Sequence, residues 1–398
     1  MNILVVNAGS SSLKYQVIDI DNEKCLVQGG VDCIGQEVST IDHKRTGEKD
    51  SYIEKHHFDN HTAALGEVFR LLTDENVGVI KDMSEIHAIG HRVLHTGEDF
   101  TGSVIVDEAN MKILEKNIPL GPLHMPANIA CIKACQNLLP NVQNVAVFDT
   151  AFHMTMPKYA YMYAIPYEDY EKYKVRRYGF HGTSHKYVTG EAIKLMGTEN
   201  CRIINCHLGN GSSISAVKDG KCQDTSMGLT PLEGLMMGTR SGDIDPACLE
   251  YLMDKKGMNI HEMLNYLNKK SGFLGVSGLS SDARKVTENA ELGNERCQLV
   301  LDMCSYRIKK YIGAYTASLG GVDAIVFTGG IGENSNLMRK MVLNGLEYLG
   351  IDIDWELNDH CPRKQNVAIS TPNSKVKVFV IPTNEELVIA RETRDLVK

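Results

Sequence analysis

One local pattern constrains this chain more than any other, because it occurs twice. The segment Asn7-Ala8-Gly9-Ser10-Ser11-Ser12-Leu13-Lys14 runs straight off an apolar stretch at 3–6, and His207-Leu208-Gly209-Asn210-Gly211-Ser212-Ser213 runs off another at 203–204. Alternating residues follow in both copies (Val17-Ile18-Asp19 and Ile214-Ser215-Ala216-Val217), and then a second turn at Asp21-Asn22 or Asp219-Gly220. Each copy reads as strand, tight turn, strand, turn. A third glycine-rich loop, Thr328-Gly329-Gly330-Ile331-Gly332-Glu333-Asn334, leaves the apolar run 324–327. Glycine lets backbone amides approach an anion closely, and Ser, Asn and Lys add donors. The three loops together point to a nucleotide clamped between two halves of a duplicated fold.

The commoner nucleotide fingerprints are absent. There is no GxxxxGK[ST], Gly209-Asn210-Gly211 lacks the third glycine of GxGxxG, and His91-Arg92-Val93 is not the HRD of protein kinases.

Apolar strands alternate with helical patterns, so the architecture is α/β. Leu65, Val68, Phe69 and Leu72 have helical spacing, as do Leu301, Cys304, Ile308, Ile312, Tyr315 and Leu319 ahead of the stop Gly320-Gly321. Residues 145–148 and 324–327 read as buried strands, ending at Asp149 and Thr328-Gly329. Ligands of open α/β sheets bind at such strand ends. With 398 residues the chain should form two domains, with a boundary just after Asp149. A last strand at 376–381 leads to Thr383-Asn384-Glu385-Glu386, where Thr383 and Glu386 fit a capping box. The following helix is expected to pack back on the first domain. Tyr159, Tyr161 and Tyr163 alternate as in a strand, and their tyrosine-rich neighbourhood reads as ordinary packing or a subunit interface.

The net charge of −8 argues against nucleic acid as a partner and makes individual arginines informative. No apolar run is long enough for a membrane span, and Met1-Asn2-Ile3 lacks the basic start of a secretory signal. The eleven cysteines are scattered without a CxxC, which fits a reducing cytoplasm. Cys131 and Cys135, four apart on an expected helix face, read as buried small apolar residues rather than a metal site.

Three polar clusters remain: Gly90-His91-Arg92-Val93-Leu94-His95, Arg176-Arg177-Tyr178-Gly179-Phe180-His181-Gly182-Thr183-Ser184-His185, and Gly238-Thr239-Arg240-Ser241-Gly242-Asp243. The pairs His91/His95 and His181/His185 have i, i+4 spacing. Neither has the HExxH glutamate, and the glycines and β-branched residues argue against a helix there, so zinc is set aside.

With Met227-Gly228-Leu229-Thr230-Pro231-Leu232-Glu233-Gly234 and Asn384-Glu385-Glu386, these segments resemble the acetate and short-chain fatty-acid kinase family nearly end to end. That family lies in the actin-like, Hsp70-like and sugar-kinase ATPase superfamily. The resemblance implies a duplicated actin-like (ribonuclease H-like) α/β fold with the active site in the cleft between two domains. They would be an N-terminal domain of residues 1–150 plus 385–398 and a C-terminal nucleotide-binding domain of residues 151–384. It implies reversible, direct in-line transfer of the ATP γ-phosphoryl group to acetate, giving acetyl phosphate and ADP, with Mg²⁺ or its substitute Mn²⁺. It also implies a cytoplasmic homodimer.

By the same resemblance Arg92 would hold the acetate carboxylate and Asp149 would be the catalytic acidic residue. His181 and Arg240 would stabilise the transferring group, and Asn7 and Glu385 would hold the metal. Leu94, Leu123, Phe180 and Pro231 would surround the acetate methyl. Lys14, with Ser10 and Ser12, would reach the nucleotide phosphates. His207, Leu208, Gly209, Asn210 and Gly211 would line the ATP site. So would Asp282, Ala283 and Arg284, and the loop Gly329, Gly330, Ile331, Gly332, Glu333 and Asn334.

The chemistry agrees. Two anions must be brought together, so cations must neutralise both, and a near-planar phosphoryl group needs fixed donors on its equatorial oxygens. Arginine suits such forks better than lysine. Acetate is ionised at neutral pH, so Asp149 is better read as orienting Arg92 or a metal-bound water than as a base, and the capped Glu386 leaves Glu385 for the metal. Relatives carry Val at the position of Leu94, and the added methylene predicts a tighter preference for acetate over propionate. Met125 stands where relatives have Asn, which removes one polar contact near His124. The competing readings are a propionate or butyrate kinase, a pyrophosphate-dependent acetate kinase, and a non-metabolic actin-like or Hsp70-like ATPase. The last gives no reason for Arg92, His181 and Arg240 to serve a small acid, and the intact 329–334 loop favours ATP.

Overall fold

The computed structural model describes residues 1–122 and 124–398. The chain divides into two units, Met1–Ala151 with Asn384–Lys398, and Phe152–Thr383.

In the first unit the apolar residues Ile3, Leu4, Val5 and Val6 are all buried, as a strand covered on both faces requires. They lie in β1 (Asn2–Ala8). The other strands are β2 (Ser12–Asp19), β3 (Lys24–Asp32), β4 (Ser39–Arg45), β5 (Tyr52–His56), β6 (Ile86–Val93), β7 (Val104–Ile105) and β8 (Gln143–Phe148). Their order is β5-β4-β3-β2-β1-β6-β8-β7. The β1–β2 pair is antiparallel, with Asn7 opposite Lys14, whereas β1–β6 and β6–β8 are parallel. Leu4, Val6 and Ile89 pack on the helices His61–Leu72 and Met125–Leu138 through Leu65, Val68, Cys131 and Cys135. The C-terminal helix Glu385–Val397 lies on β1, β6 and β8. Gly90 permits this: a Cβ there would stand 2.4 Å from Thr393 Oγ1 and 2.7 Å from Ile389 Cγ2.

The second unit has β9 (Arg202–Leu208), β10 (Ser212–Lys218), β11 (Lys221–Thr225), β12 (Ala324–Thr328), β13 (Val367–Ala368) and β14 (Lys377–Val380), in the order β11-β10-β9-β12-β14-β13. Again an antiparallel meander, β9 to β11, is continued by parallel strands, β12 and β14. The two units thus share one topology, β3-β2-β1-β6-β8 matching β11-β10-β9-β12-β14, and the fold is a duplicated α/β one. The helix Glu295–Leu319 buries Leu301, Cys304, Ile308 and Ile312 against Ile204, Cys206, Ile325 and Phe327. It ends at Gly320, φ 71°, where glycine accepts the left-handed conformation without cost. The opposite face is covered by Gly182–Met196 through Val188 and Ala192.

Four local expectations are corrected. Residues 329–334 form a short helix rather than a loop, because Glu333 Oε1 accepts from Gly329 N (2.9 Å) and Asn334 Nδ2 donates to Gly330 O (3.0 Å). His185 is helical, with His181 as N-cap at φ 58° and the helix starting at Gly182. Tyr159 and Tyr161 belong to the helical turn Lys158–Tyr161, not a strand; the ring of Tyr161 lies 3.5 Å from the Arg176 guanidinium carbon, while Tyr159 is exposed. Finally, the cap of the C-terminal helix is Asn384, whose side chain accepts from Leu387 N (3.1 Å). The Thr383 hydroxyl instead donates to Ser184 Oγ (2.8 Å), so there is no Thr383–Glu386 capping box and Glu386 is not tied up by one. Among the described residues no helix is long and apolar enough to cross a membrane.

Candidate active site

In the first unit the parallel strands β6 and β8 end side by side, and their ends carry Arg92 and Asp149. Arg92 Nη2 donates to Asp149 Oδ2 at 2.7 Å, and Nη1 stands 3.5 Å from Asn7 Oδ1. Asp149 is almost wholly buried, while the Arg92 side chain remains 26 % exposed. The Asp149 charge holds the guanidinium pKa above its usual value, with Glu385 and Glu386 acting in the same sense. A cavity of about 290 Å³ is lined by Asn7, Lys14, Asp32, Asp42 and Glu386, among others. Burial pushes the Glu386 carboxyl pKa up, and the neighbouring charge of Glu385 adds to it; Lys14 and Arg92 oppose.

The β1–β2 turn is built by Gly9 N donating to Ser12 O (2.8 Å) and His61 Nε2 donating to Gly9 O (2.8 Å). Ser10 is exposed at its tip, and Ser12 is half-buried. Asn128, which sequence reasoning missed, ties the strand ends together: its Nδ2 donates to Ala8 O (2.7 Å) and its Oδ1 accepts from Leu94 N (3.1 Å). Leu94 is buried, and a Cβ on Gly121 would stand 2.9 Å from Leu94 Cδ2 and 3.0 Å from Met125 Cγ, so the three adjoin. Leu123, expected in the same group, lies outside the described residues.

In the second unit two candidate donors adjoin Gly211. A Cβ there would be 3.4 Å from His181 Nε2 and 3.6 Å from Arg240 Nη1, so both donors border one glycine-sized space. Arg240 Nη1 donates to Pro231 O (3.1 Å) and contacts Met237 Sδ (3.5 Å), and no carboxylate among the described residues pairs with it. Burial lowers its pKa for that reason. His181 stacks on His207, centroids 4.2 Å apart, and its Nδ1 is 2.9 Å from Ser213 Oγ. The same hydroxyl is 2.8 Å from His185 Nε2. His185 is fully buried, and desolvation holds its pKa well below the usual value, so it is neutral. His207 Nδ1 in turn meets Ser184 Oγ at 2.8 Å. Phe180 is buried, its carbonyl accepting from His153 Nε2 (2.9 Å).

The three segments expected to bind nucleotide contribute to one cavity of about 930 Å³, which Gly209, Asn210, Asp282, Ala283, Arg284, Gly330, Ile331 and Asn334 line. Ser281, Thr287, Glu288, Asn336 and Arg363 also line it and carry no glycine-rich signature that sequence could offer. Asp282 caps its helix and pairs with Arg284 (2.7 Å), which depresses its carboxyl pKa to about 2. Leu208, Gly329 and Gly332 are buried and do not line this cavity, Gly329 lying against the Leu208 carbonyl. Glu333 accepts from Gly329 N and Thr383 N (3.2 Å), and so holds the loop ends instead of facing the cavity. Arg177, singled out in its cluster, is structural: it pairs with Glu233 (2.6 Å) and donates to the carbonyls of Thr225, Ser226 and Met227.

The chain matches the model of the Acetokinase family over residues 2–391. The acetate kinase of Acetivibrio thermocellus is 57 % identical over 400 residues, covering all of both chains. That of Thermotoga maritima is 55 % identical over 401 residues, covering 100 % of this chain and 99 % of its own. Among solved structures, Porphyromonas gingivalis acetate kinase matches with a TM-score of 0.96 at 46 % identity over the whole of both chains. A propionate kinase from Francisella tularensis matches with a TM-score of 0.93 at 42 % identity, covering 99 % of each chain.

Proposed function

The chain belongs to the acetokinase family, and from that premise we propose that it is an acetate kinase, which reversibly transfers the γ-phosphoryl group of ATP to acetate. The reading is carried by Arg240, a half-buried cation with no acidic partner among the described residues, which shares the space at Gly211 with His181 Nε2. A buried uncompensated cation is costly unless an anion joins it. Gly209 and Asn210, next along the same turn, line the large cavity that would take the nucleotide.

In the forward direction a carboxylate oxygen of acetate forms a bond to the γ-phosphorus while the bond to the bridging oxygen breaks and ADP leaves. Acetate is already ionised near neutral pH, so no side chain needs to remove a proton. Arg92 holds the carboxylate, and Asp149, through its 2.7 Å ion pair, fixes the direction in which the guanidinium points. Arg240 and His181 donate to the equatorial oxygens, where fixed donors stabilise the transition state most. Ser213 donating to His181 Nδ1 would keep the His181 proton on Nε2, beside Gly211. Leu94, buried beside Gly121 and Met125, would pack on the acetate methyl.

Magnesium fits the residues present. Asn7 and Glu385 offer oxygen donors, which a hard cation requires, and the mutual repulsion of Glu385 and Glu386 is what a cation would relieve. Asn7 and Glu385 would hold it, and it would supply charge neutralisation on the nucleotide phosphates.

The test is acyl phosphate formation trapped as hydroxamate, with acetate, propionate and butyrate, each with ATP and with pyrophosphate. The proposal expects ATP with acetate to give the highest kcat/KM. Activity confined to pyrophosphate, or higher kcat/KM for propionate, would refute it.

A further inference from the structure

Alternation along β6 sends His91 to the face opposite Arg92, toward the helix Met125–Leu138. There one ligand atom from each of His91, Cys131 and Cys135 lies within 4.8 Å of the others. All three residues are buried, at 2 %, 1 % and 0 % exposure. The two cysteines stand one helical turn apart, so both sulfurs issue from one face. Their burial is as the sequence suggests; the spacing alone could not reveal the histidine facing them.

The imidazole is already set for coordination. His91 Nε2 lies 2.7 Å from Asn144 Oδ1, and Asn144 Nδ2 donates to Val142 O at 2.9 Å. The second bond fixes the amide with its carbonyl toward His91, so Nε2 carries the proton and Nδ1 keeps its lone pair. A histidine whose outer N–H is held by a carbonyl is the usual arrangement around bound metals.

We propose that His91, Cys131 and Cys135 form a binding site for a thiophilic divalent d¹⁰ cation, of the zinc and cadmium class. Two sulfurs and one imidazole nitrogen are a soft donor set, unsuited to magnesium or calcium, which take oxygen. Charge balance selects a divalent ion. Two thiols lose two protons to solvent as the cation enters, two metal–sulfur bonds form, and the buried group stays neutral with no redox step. This site is separate from the oxygen donors Asn7 and Glu385 and does not depend on the transfer reaction.

Cadmium is the probe, added to the reduced full-length protein in excess magnesium. The first equivalent is expected to raise an ultraviolet thiolate-to-cadmium charge-transfer band and to release two protons per chain. Cys131→Ala/Cys135→Ala should abolish both signals, while Cys33→Ser/Cys248→Ser, which removes the exposed thiols, should leave them unchanged. Asn144→Ala should weaken binding about 10–100-fold by freeing the imidazole. No band at one equivalent, a band that survives the double core variant, or a band lost with the surface thiols would overturn the proposal. X-ray absorption on the cadmium-loaded wild type decides the matter even if the core variant fails to fold. Two sulfurs and a nitrogen are expected, and a shell of oxygen alone or of sulfur alone refutes the site.

Discussion

Gly211→Ala separates catalysis from folding more cleanly than any substitution of a charged residue. The backbone at Gly211 does not occupy the left-handed region, so alanine fits without strain. Its Cβ would stand 3.4 Å from His181 Nε2 and 3.6 Å from Arg240 Nη1, ordinary contact distances that the fold can accept. Replacing glycine at a compatible position typically stabilises by about 0.4–1 kcal/mol, through the entropy of the unfolded chain. If the space between those two nitrogens receives the phosphoryl group, the methyl sits where an equatorial oxygen must go. A displacement on the order of 1 Å costs about 100-fold in rate. Thermal unfolding should therefore show an unchanged or slightly raised Tm, while hydroxamate formation from acetate and ATP falls about 100-fold in kcat/KM. A variant that folds normally and turns over within a few-fold of wild type would refute the assignment of His181 and Arg240 to the phosphoryl group.

Arg240→Gln should lower kcat/KM by about 10²–10³-fold without loss of stability in denaturant melts, because it removes a desolvated cation with no acidic partner among the described residues. Asp149→Asn breaks an ion pair whose carboxylate is 1 % exposed. About 3 kcal/mol of unfolding free energy should go with it, and acetate turnover should fall as Arg92 loses its anchor; native turnover in a folded variant would exclude an essential charge. His185 has its folded pKa held below its unfolded value, so the unfolded chain binds the extra proton first as pH falls. Stability should be full above about pH 6.5 and decline below it by up to ~1.4 kcal/mol per pH unit. His185→Gln should flatten that part of the profile, measured by urea unfolding across pH. Leu94→Val removes one methylene beside Gly121 and Met125, worth about 0.8 kcal/mol. The propionate-to-acetate ratio of kcat/KM should rise about fourfold, and an unchanged ratio would move the methyl pocket away from Leu94.

What could be read from sequence was local. The two Gly-Ser-Ser turns and the apolar strands before them are set by glycine sterics and two-residue periodicity, so β1–β2 and β9–β10 were legible, as was the long helix ending at Gly320. What escaped depends on partners distant in the chain. Thr383 fits a capping-box pattern, but its hydroxyl finds Ser184 and leaves Asn384 to cap. The segment Gly329–Asn334 carries three glycines and has poor intrinsic helix propensity, yet Glu333 binds its first amide and Thr383 N as well. Asn128 sits in the first turn of its helix with no motif around it, and only the packed strand ends show that it joins Ala8 to Leu94.

The two candidate substrate arginines differ in how they are compensated, and the difference suits the roles proposed for them. Arg92 enters with Asp149 on Nη2, which leaves Nη1, 3.5 Å from Asn7, as the loosely held end of the fork. A monoanion meeting an already compensated guanidinium gains little net charge neutralisation, so acetate is expected to be oriented more than tightly bound. Arg240 has no such partner among the described residues, so its interaction with an anion would be undiluted. On the proposed roles, the charge spread over the phosphoryl oxygens in the transition state would meet the stronger field, and the ground-state carboxylate the weaker one. Binding energy placed in that order raises turnover rather than affinity, because only interactions that strengthen toward the transition state accelerate the reaction.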